Sequence, residues 1–255
     1  MSFKGNLLNV SGAKKAFGGV KAVNGATFQV REGTITGLIG PNGAGKSTMV
    51  NLISGAENAD SGTIHFCNQD ITKWPSHRIA QLGLIRTFQV SRELQKLTVL
   101  ENLLLAPKGQ HGEKSFAAMF QRSRIREEEE ANLAEALEAL ERFSLMPLKD
   151  EYAGNLSGGQ KKLLDMARAL MAKPSLLLLD EPMAGVNPTL TKSLQSHIVE
   201  LNKQGVTFLL IEHNLSVIEA ICDHVVVLAE GSVLAEGKMD TLRDNEEVVL
   251  AYLGG

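Results

Sequence analysis

The chain has 255 residues, 44% of them hydrophobic and 22% charged, the profile of a globular protein able to bury a sizeable core in one domain or two. A net charge of −3 and a pI near 6.1 exclude a broad basic surface, so no nucleic-acid partner is expected. Cys67 and Cys222 read as small buried apolar residues rather than a disulfide framework, as in a reducing cytosol; no secretory leader is expected, and no apolar run approaches the ~18 residues of a membrane helix.

Residues 6–35 alternate apolar runs with the turn signals Gly18-Gly19 and Asn24-Gly25, a pattern expected of antiparallel hairpins. Ile35–Ile39 reads as a strand. It runs into Gly40-Pro-Asn-Gly-Ala-Gly-Lys46-Ser47, which fits G-x-x-x-x-G-K-[ST], and Thr48–Ile53 reads as the start of a helix. Strand, loop and helix in that order are the context in which this motif cradles a nucleoside triphosphate. Glycines 40, 43 and 45 accept backbone angles closed to other residues, so successive N–H groups can face phosphate oxygens, and the helix N-terminus adds partial positive charge. Asn42, Gly43, Ala44, Gly45, Lys46, Ser47 and Thr48 are therefore the expected nucleotide contacts. Lys46 neutralises the β- and γ-phosphates, and the Ser47 hydroxyl can ligate Mg2+.

Gly62–Cys67 reads as a further strand, and from about 90 to 158 the pattern turns helical. There Leu133, Leu137 and Leu140 recur at i, i+4 and i+7 as one apolar stripe, while Arg122, Arg124 and Arg126 followed by Glu127–Glu130 form a charge run expected on a solvated helix face. Lys108–Gly112 reads as an exposed loop, with no chemistry assigned to His111.

From 160 onward helix and strand alternate, as a parallel sheet requires. Ser175-Leu-Leu-Leu-Leu179 is a buried strand ending in Asp180-Glu181-Pro182. Asp180, at the carboxyl end of a parallel strand, can hold Mg2+ directly or through water, and Glu181 is the candidate general base for the attacking water. The next strand, Val206–Ile211, ends in Glu212-His213. Taken alone His213 is an ordinary surface histidine; at a strand end it can also contact a γ-phosphate and its attacking water. Val225–Leu228, Glu230-Gly231 and Val233-Leu234 read as a closing hairpin.

Leu156-Ser-Gly-Gly-Gln160, together with the phosphate loop and Asp180-Glu181, makes the chain resemble the ATP-binding-cassette (ABC) ATPases over nearly its whole length. The resemblance implies an α/β fold: a P-loop ABC ATPase core with a parallel sheet, an N-terminal antiparallel β-subdomain and an inserted helical subdomain. It places the core at about 1–89 and 160–255 and the helical part at about 90–159, within one domain spanning 1–255. Leu156–Gln160 matches the family's signature motif, so Ser157, Gly158, Gly159 and Gln160 are implied to bind the γ-phosphate of ATP held by an opposing subunit. By the same resemblance Gln89, in Arg86-Thr-Phe-Gln89, is the Q-loop glutamine that senses Mg2+ and the γ-phosphate. His213 is the switch histidine, which together with Glu181, Lys46 and Gln89 forms the implied catalytic set. Phe17 matches the aromatic that stacks on adenine, with Ala22 flanking the ring. One position departs from the pattern: Ala184-Gly-Val-Asn187-Pro188 carries Asn187 where the family usually has an aspartate, keeping hydrogen-bonding capacity without the charge.

The Ala-Gly-Val-Asn-Pro run, Arg86–Gln89, Ile211-Glu-His-Asn214 and the ending Ala251-Tyr-Leu-Gly254 together resemble the ATPases of branched-chain and related amino-acid importers. That subgroup implies hydrolysis of ATP with Mg2+, a second ABC ATPase subunit, identical or related, and integral membrane permease subunits that hold the protein at the inner face of the cell membrane. A lipopolysaccharide-extraction ATPase shares the ending and the loop around Asn187, but Arg86–Gln89 favours amino-acid import. A non-transport ABC ATPase is disfavoured by the single cassette and by only about 130 residues between Lys46 and Asp180. A binding module without turnover is disfavoured by the presence of Lys46, Asp180, Glu181 and His213 together.

Overall fold

Two strands of 12 residues each, β1 (Asn6–Phe17) and β2 (Val20–Arg31), open the fold as one long antiparallel hairpin closed by Gly18-Gly19. The computed structural model describes residues 5–87, 94–107 and 122–253. Asn24-Gly25, expected as a second turn, is instead an irregularity within β2. Lys14 pairs with Asn24 and Ala13 with Ala26, which leaves Gly25 between them at a φ of 88°. A turn and a bulge favour the same residues, so composition alone did not separate them. β4 (Ser61–Phe66) pairs with β1, and a turn at Cys67-Asn68, both at positive φ, leads into β5 (Gln69–Asp70). Cys67 thus lies in a turn, half-buried, and it and Cys222 are free thiols.

A second sheet runs in the order β10-β9-β3-β8-β7-β6. Its strands are β3 (Ile35–Ile39), β6 (Leu84–Arg86), β7 (Leu176–Asp180), β8 (Thr207–Ile211), β9 (His224–Ala229) and β10 (Ser232–Gly237). All neighbours are parallel except β9 and β10, the closing hairpin. The near-continuous apolar runs of β3, β7 and β8 are what a sheet covered on both faces needs. Between the two sheets lies α1 (Lys46–Ile53). Its Met49, Val50, Leu52 and Ile53 share one cluster with Val10, Phe28 and Phe66 on one side and Leu38, Leu178 and Ile211 on the other. Each such side chain contributes roughly 1.5–3 kcal/mol relative to exposure, so the helix carrying the phosphate loop is firmly seated.

Two compact units emerge: Met1–Arg86, Ser175–Ala184 and Thr191–Gly255 form one, and Thr87–Pro174 with Gly185–Leu190 the other. The first also holds α2 (Ser76–Leu82), most of α6 (Pro188–Lys203), α7 (Leu215–Ile221), α8 (Met239–Arg243) and α9 (Glu246–Leu253). The second is helical, built on α3 (Val99–Leu104), α4 (Arg122–Arg142) and α5 (Gly158–Met171). It takes in all of α5, beyond the boundary near residue 159 expected from the sequence. Thr98 and Glu101 form a capping box at α3. On α4 the buried positions are Ala136, Ala139 and Leu140, continued by Phe143 just past the helix end; Leu137 is half-buried and Leu133 is exposed. The buried face thus covers Leu140 and part of Leu137 but runs through Ala136 and Ala139, leaving Leu133 on the solvent side. Arg126 pairs with Glu130 on the exposed face, as the charge run predicts. Gln89 and the loop Lys108–Gly112 lie outside the described residues.

Candidate nucleotide site

The carboxyl ends of the central parallel strands line up on one edge of the sheet. Leu38 of β3 and Asp180 of β7 both pair with Ile211 of β8, and Arg86 closes β6 beside Leu178. The phosphate loop, Asp180-Glu181 and Glu212-His213 therefore emerge side by side, at the edge where open α/β sheets bind ligands.

The loop is shaped by two glycines with no room for a side chain. Gly45, at a φ of 97°, would place a Cβ 2.2 Å from the Ala22 carbonyl oxygen, and Gly40 would place one 2.1 Å from that of Leu228. Ala22 thus lies against the loop, on the strand that follows Phe17. Gly45 is the N-cap of α1 and no side chain caps that terminus, so its first N–H groups are available to an anion. Asn42, Gly43 and Ser47 are exposed, Thr48 is half-buried and Ala44 is buried. Lys46 is buried, and its Nζ donates to the carbonyls of Gly40 (2.7 Å) and Pro41 (2.8 Å). Burial lowers its pKa, against an opposing pull from Glu181 and Asp180. An ammonium held on carbonyls within its own loop fits a phosphate ligand, which offers stronger, charge-assisted bonds.

Asp180 ends β7 and accepts from Arg86 Nη2 at 2.9 Å. Glu181 follows at a φ of 49°, a left-handed conformation for a residue with a side chain, and such strain typically marks functional positions. Its N–H donates to Ile211 O, which stitches the turn to β8. Its Oε1 lies 2.7 Å from His213 Nε2, and a proton on that nitrogen makes the contact a hydrogen bond to the carboxylate. Glu212, only 4% exposed, accepts from the Met183 N–H at 2.8 Å and so holds the turn that carries Glu181. Burial pushes the Glu212 carboxyl up, opposed by that N–H.

Phe17 ends β1 with 48% of its surface exposed and Lys15 Nζ 5.3 Å from its ring centre, so it is not a core residue. In the helical unit, Ser157 and Gln160 cap α5 reciprocally. Ser157 Oγ accepts from the Gln160 N–H at 3.3 Å, and Gln160 Oε1 accepts from the Ser157 N–H at 2.9 Å. Gly158 is open, whereas a Cβ on Gly159 would lie 2.1 Å from Leu190 Cδ2. Asn187 Oδ1 accepts from the Leu190 N–H at 2.9 Å and so caps α6, a task that needs no charge.

Three contributions were not assigned from the sequence. Arg86 and Glu212 stood inside recognised strings without a role. Tyr252, on α9, has its hydroxyl pushed up to about 12 by burial, with a hydrogen bond to the Gly40 backbone opposing. A charged residue closing an apolar parallel strand was the available signal for the first two.

The ABC transporter family profile matches residues 23–184. The probable branched-chain amino acid transport ATP-binding protein LivG of Archaeoglobus fulgidus is 47% identical over 97% of this chain and 95% of its own. The high-affinity branched-chain amino acid transport ATP-binding protein BraF of Pseudomonas aeruginosa is 39% identical over 97% of this chain and 98% of its own. A nucleotide-free ATP-binding cassette from an ABC transporter superposes with a TM-score of 0.85 at 39% identity, covering 98% of this chain and all of that one. A cassette in its ADP conformation gives 0.84 at 39% identity, over 98% of this chain and 99% of the other. The chain belongs to the ABC transporter family, as an ATP-hydrolysing subunit resembling those of branched-chain amino acid transport.

Proposed function

We propose that this chain drives uptake of branched-chain or related amino acids, as one of two ABC ATPase subunits attached to permease subunits at the inner face of the cell membrane. The observation that carries the chemistry is the convergence of Lys46, Asp180, Glu181 and His213 at one sheet edge. The transported class rests on the names of relatives that match nearly end to end. Among the described residues no helix is long and apolar enough to cross a membrane, consistent with a pore built by other chains.

In this reading the phosphate-loop N–H groups and Lys46 bind the β- and γ-phosphates, and Phe17 and Ala22 receive the adenine. Ser47 and Asp180 offer hydroxyl and carboxylate oxygens, the hard donors that Mg2+ selects, with Gln89 as a further contact. When bound, the metal neutralises charge on the phosphates. Glu181 takes a proton from the attacking water, and His213 holds its carboxylate in place. Ser157, Gly158, Gly159 and Gln160 meet the γ-phosphate of the partner subunit's nucleotide. ATP favours the closed pair because it contacts both subunits only there, and hydrolysis reopens it.

Glu181→Gln tests the core of this reading. It should leave ATP affinity in place, cut turnover by roughly 10²–10⁴ and accumulate an ATP-bound dimer in gel filtration. Turnover close to that of the unmodified protein would move the base elsewhere.

A further inference from the structure

The two residues read as Mg2+ ligands stand on different elements, Ser47 on α1 and Asp180 at the end of β7, and one guanidinium ties those elements together. Arg86 Nη2 donates to Asp180 Oδ2 at 2.9 Å, while its Nη1 donates to Asn51 Oδ1 at 2.8 Å. Asn51 lies on α1, one turn beyond Ser47. The side chains of Arg86 and Asp180 are only 18% and 24% exposed, so water competes weakly for the pair. The bond engages Oδ2 and leaves Oδ1 of the carboxylate for a cation.

We propose that Arg86 is a positioning residue for the metal: it fixes the Asp180 carboxylate and braces it against α1, so that the Ser47 hydroxyl and the Asp180 oxygen are held at one spacing. The inference rests on Ser47 and Asp180 being the metal ligands. The planar fork of arginine suits it to bridge two acceptors on separate elements, whereas an ammonium offers a point charge without that geometry. Hydrogen-bond partners of metal ligands typically govern about 10–100-fold in metal affinity. The opposite role, a cation occupying Asp180 in competition with the metal, predicts a change of opposite sign.

The test is Mn2+ binding followed by electron paramagnetic resonance, with the full chain saturated by a non-hydrolysable ATP analogue. Arg86→Met should weaken Mn2+ binding by about tenfold or more, and Arg86→Lys should lie between. Asn51→Ala should weaken it in the same direction by less, and nucleotide affinity in EDTA should not change. Asp180→Asn separates the two levels of the argument. If Mn2+ binding survives that change, the ligand assignment fails and the inference with it. If Asp180→Asn weakens Mn2+ but Arg86→Met leaves it unchanged or tighter, the positioning role alone is overturned. Should Arg86→Met fail to fold by circular dichroism, Arg86→Lys and Asn51→Ala decide, and unchanged Mn2+ affinity in both overturns the role.

Discussion

Glu212 offers the sharpest probe of how the expected base is held. Its buried carboxylate accepts the Met183 N–H at 2.8 Å, two residues beyond Glu181, whose φ of 49° needs support from its surroundings. Replacing Glu212 by alanine leaves that N–H without its acceptor, at a cost of about 1–3 kcal/mol. The left-handed backbone at Glu181 stores a similar roughly 1–3 kcal/mol, which then has fewer contacts to oppose it. If about 2 kcal/mol goes into releasing the turn, the equilibrium between aligned and released Glu181 shifts roughly thirtyfold, and the aligned fraction falls by up to that factor. The ceiling is complete loss of the base, about 10²–10⁴. Glu212→Gln keeps an oxygen acceptor at the same reach. Because burial already disfavours the charged carboxylate there, the neutral amide should be tolerated within a few-fold. Steady-state ATPase kinetics read the result: kcat should fall in the alanine variant while the KM for ATP stays put, and glutamine should restore kcat. Equal damage from glutamine and alanine, or an alanine variant with unchanged kcat, would refute the positioning argument.

Phe17→Ala should weaken ATP binding about tenfold in a fluorescence titration, the usual worth of one base–aromatic stack, and leave inorganic triphosphate binding unaffected; equal ATP affinity would show that the adenine lies elsewhere. Asp165 should make the helical unit pH-sensitive, since burial raises its pKa to about 7, against the pull of Arg168 and Lys162. Below 3.8 both folded and unfolded chains bind the proton; between 3.8 and about 7 the unfolded chain ionises first, so stability falls as pH rises, by at most about 4 kcal/mol. Asp165→Asn should therefore gain on the parent in thermal melts from pH 4 to 7 and level off above; a difference constant across that range would exclude the raised pKa.

The sequence made legible what local order encodes. A strand, a glycine-rich loop and a lysine at a helix start constrain one another within about fifteen residues, and the Leu176–Leu179 run leaves little choice but a buried strand. What stayed hidden depends on partners distant in the chain. Arg86 meets Asp180 across 94 residues, and Glu212 meets Met183 across 29, pairings set by strand order rather than by any local pattern. The exposed Leu133 on α4 has a different cause: hydrophobic periodicity points to leucines, whereas the smaller Ala136 and Ala139 carry much of the buried face. Asn187 likewise read as a lost charge, because its hydrogen bond to the Leu190 N–H is invisible until the helix start is placed.

The same strand order explains how charge is balanced at the site. Lys46 and Arg86 stand against Asp180 and Glu181, with Glu212 buried beside them, so the sheet edge carries no surplus of fixed positive charge. A triphosphate brings several negative charges to that edge. Lys46 gains by exchanging carbonyl partners for phosphate oxygens, but Arg86 is already committed to Asp180 and Asn51. In the proposed reading the remaining compensation comes from the uncapped N-terminus of α1, from a divalent cation held through Asp180, and from a second helix N-terminus such as that of α5. In the proposed assembly the partner supplies the last of these. On the proposed reading, a site built nearly neutral should gain nucleotide affinity when metal and partner complete it, and nucleotide titrations with and without Mg2+, at concentrations below and above dimer formation, would show equal affinities if it does not.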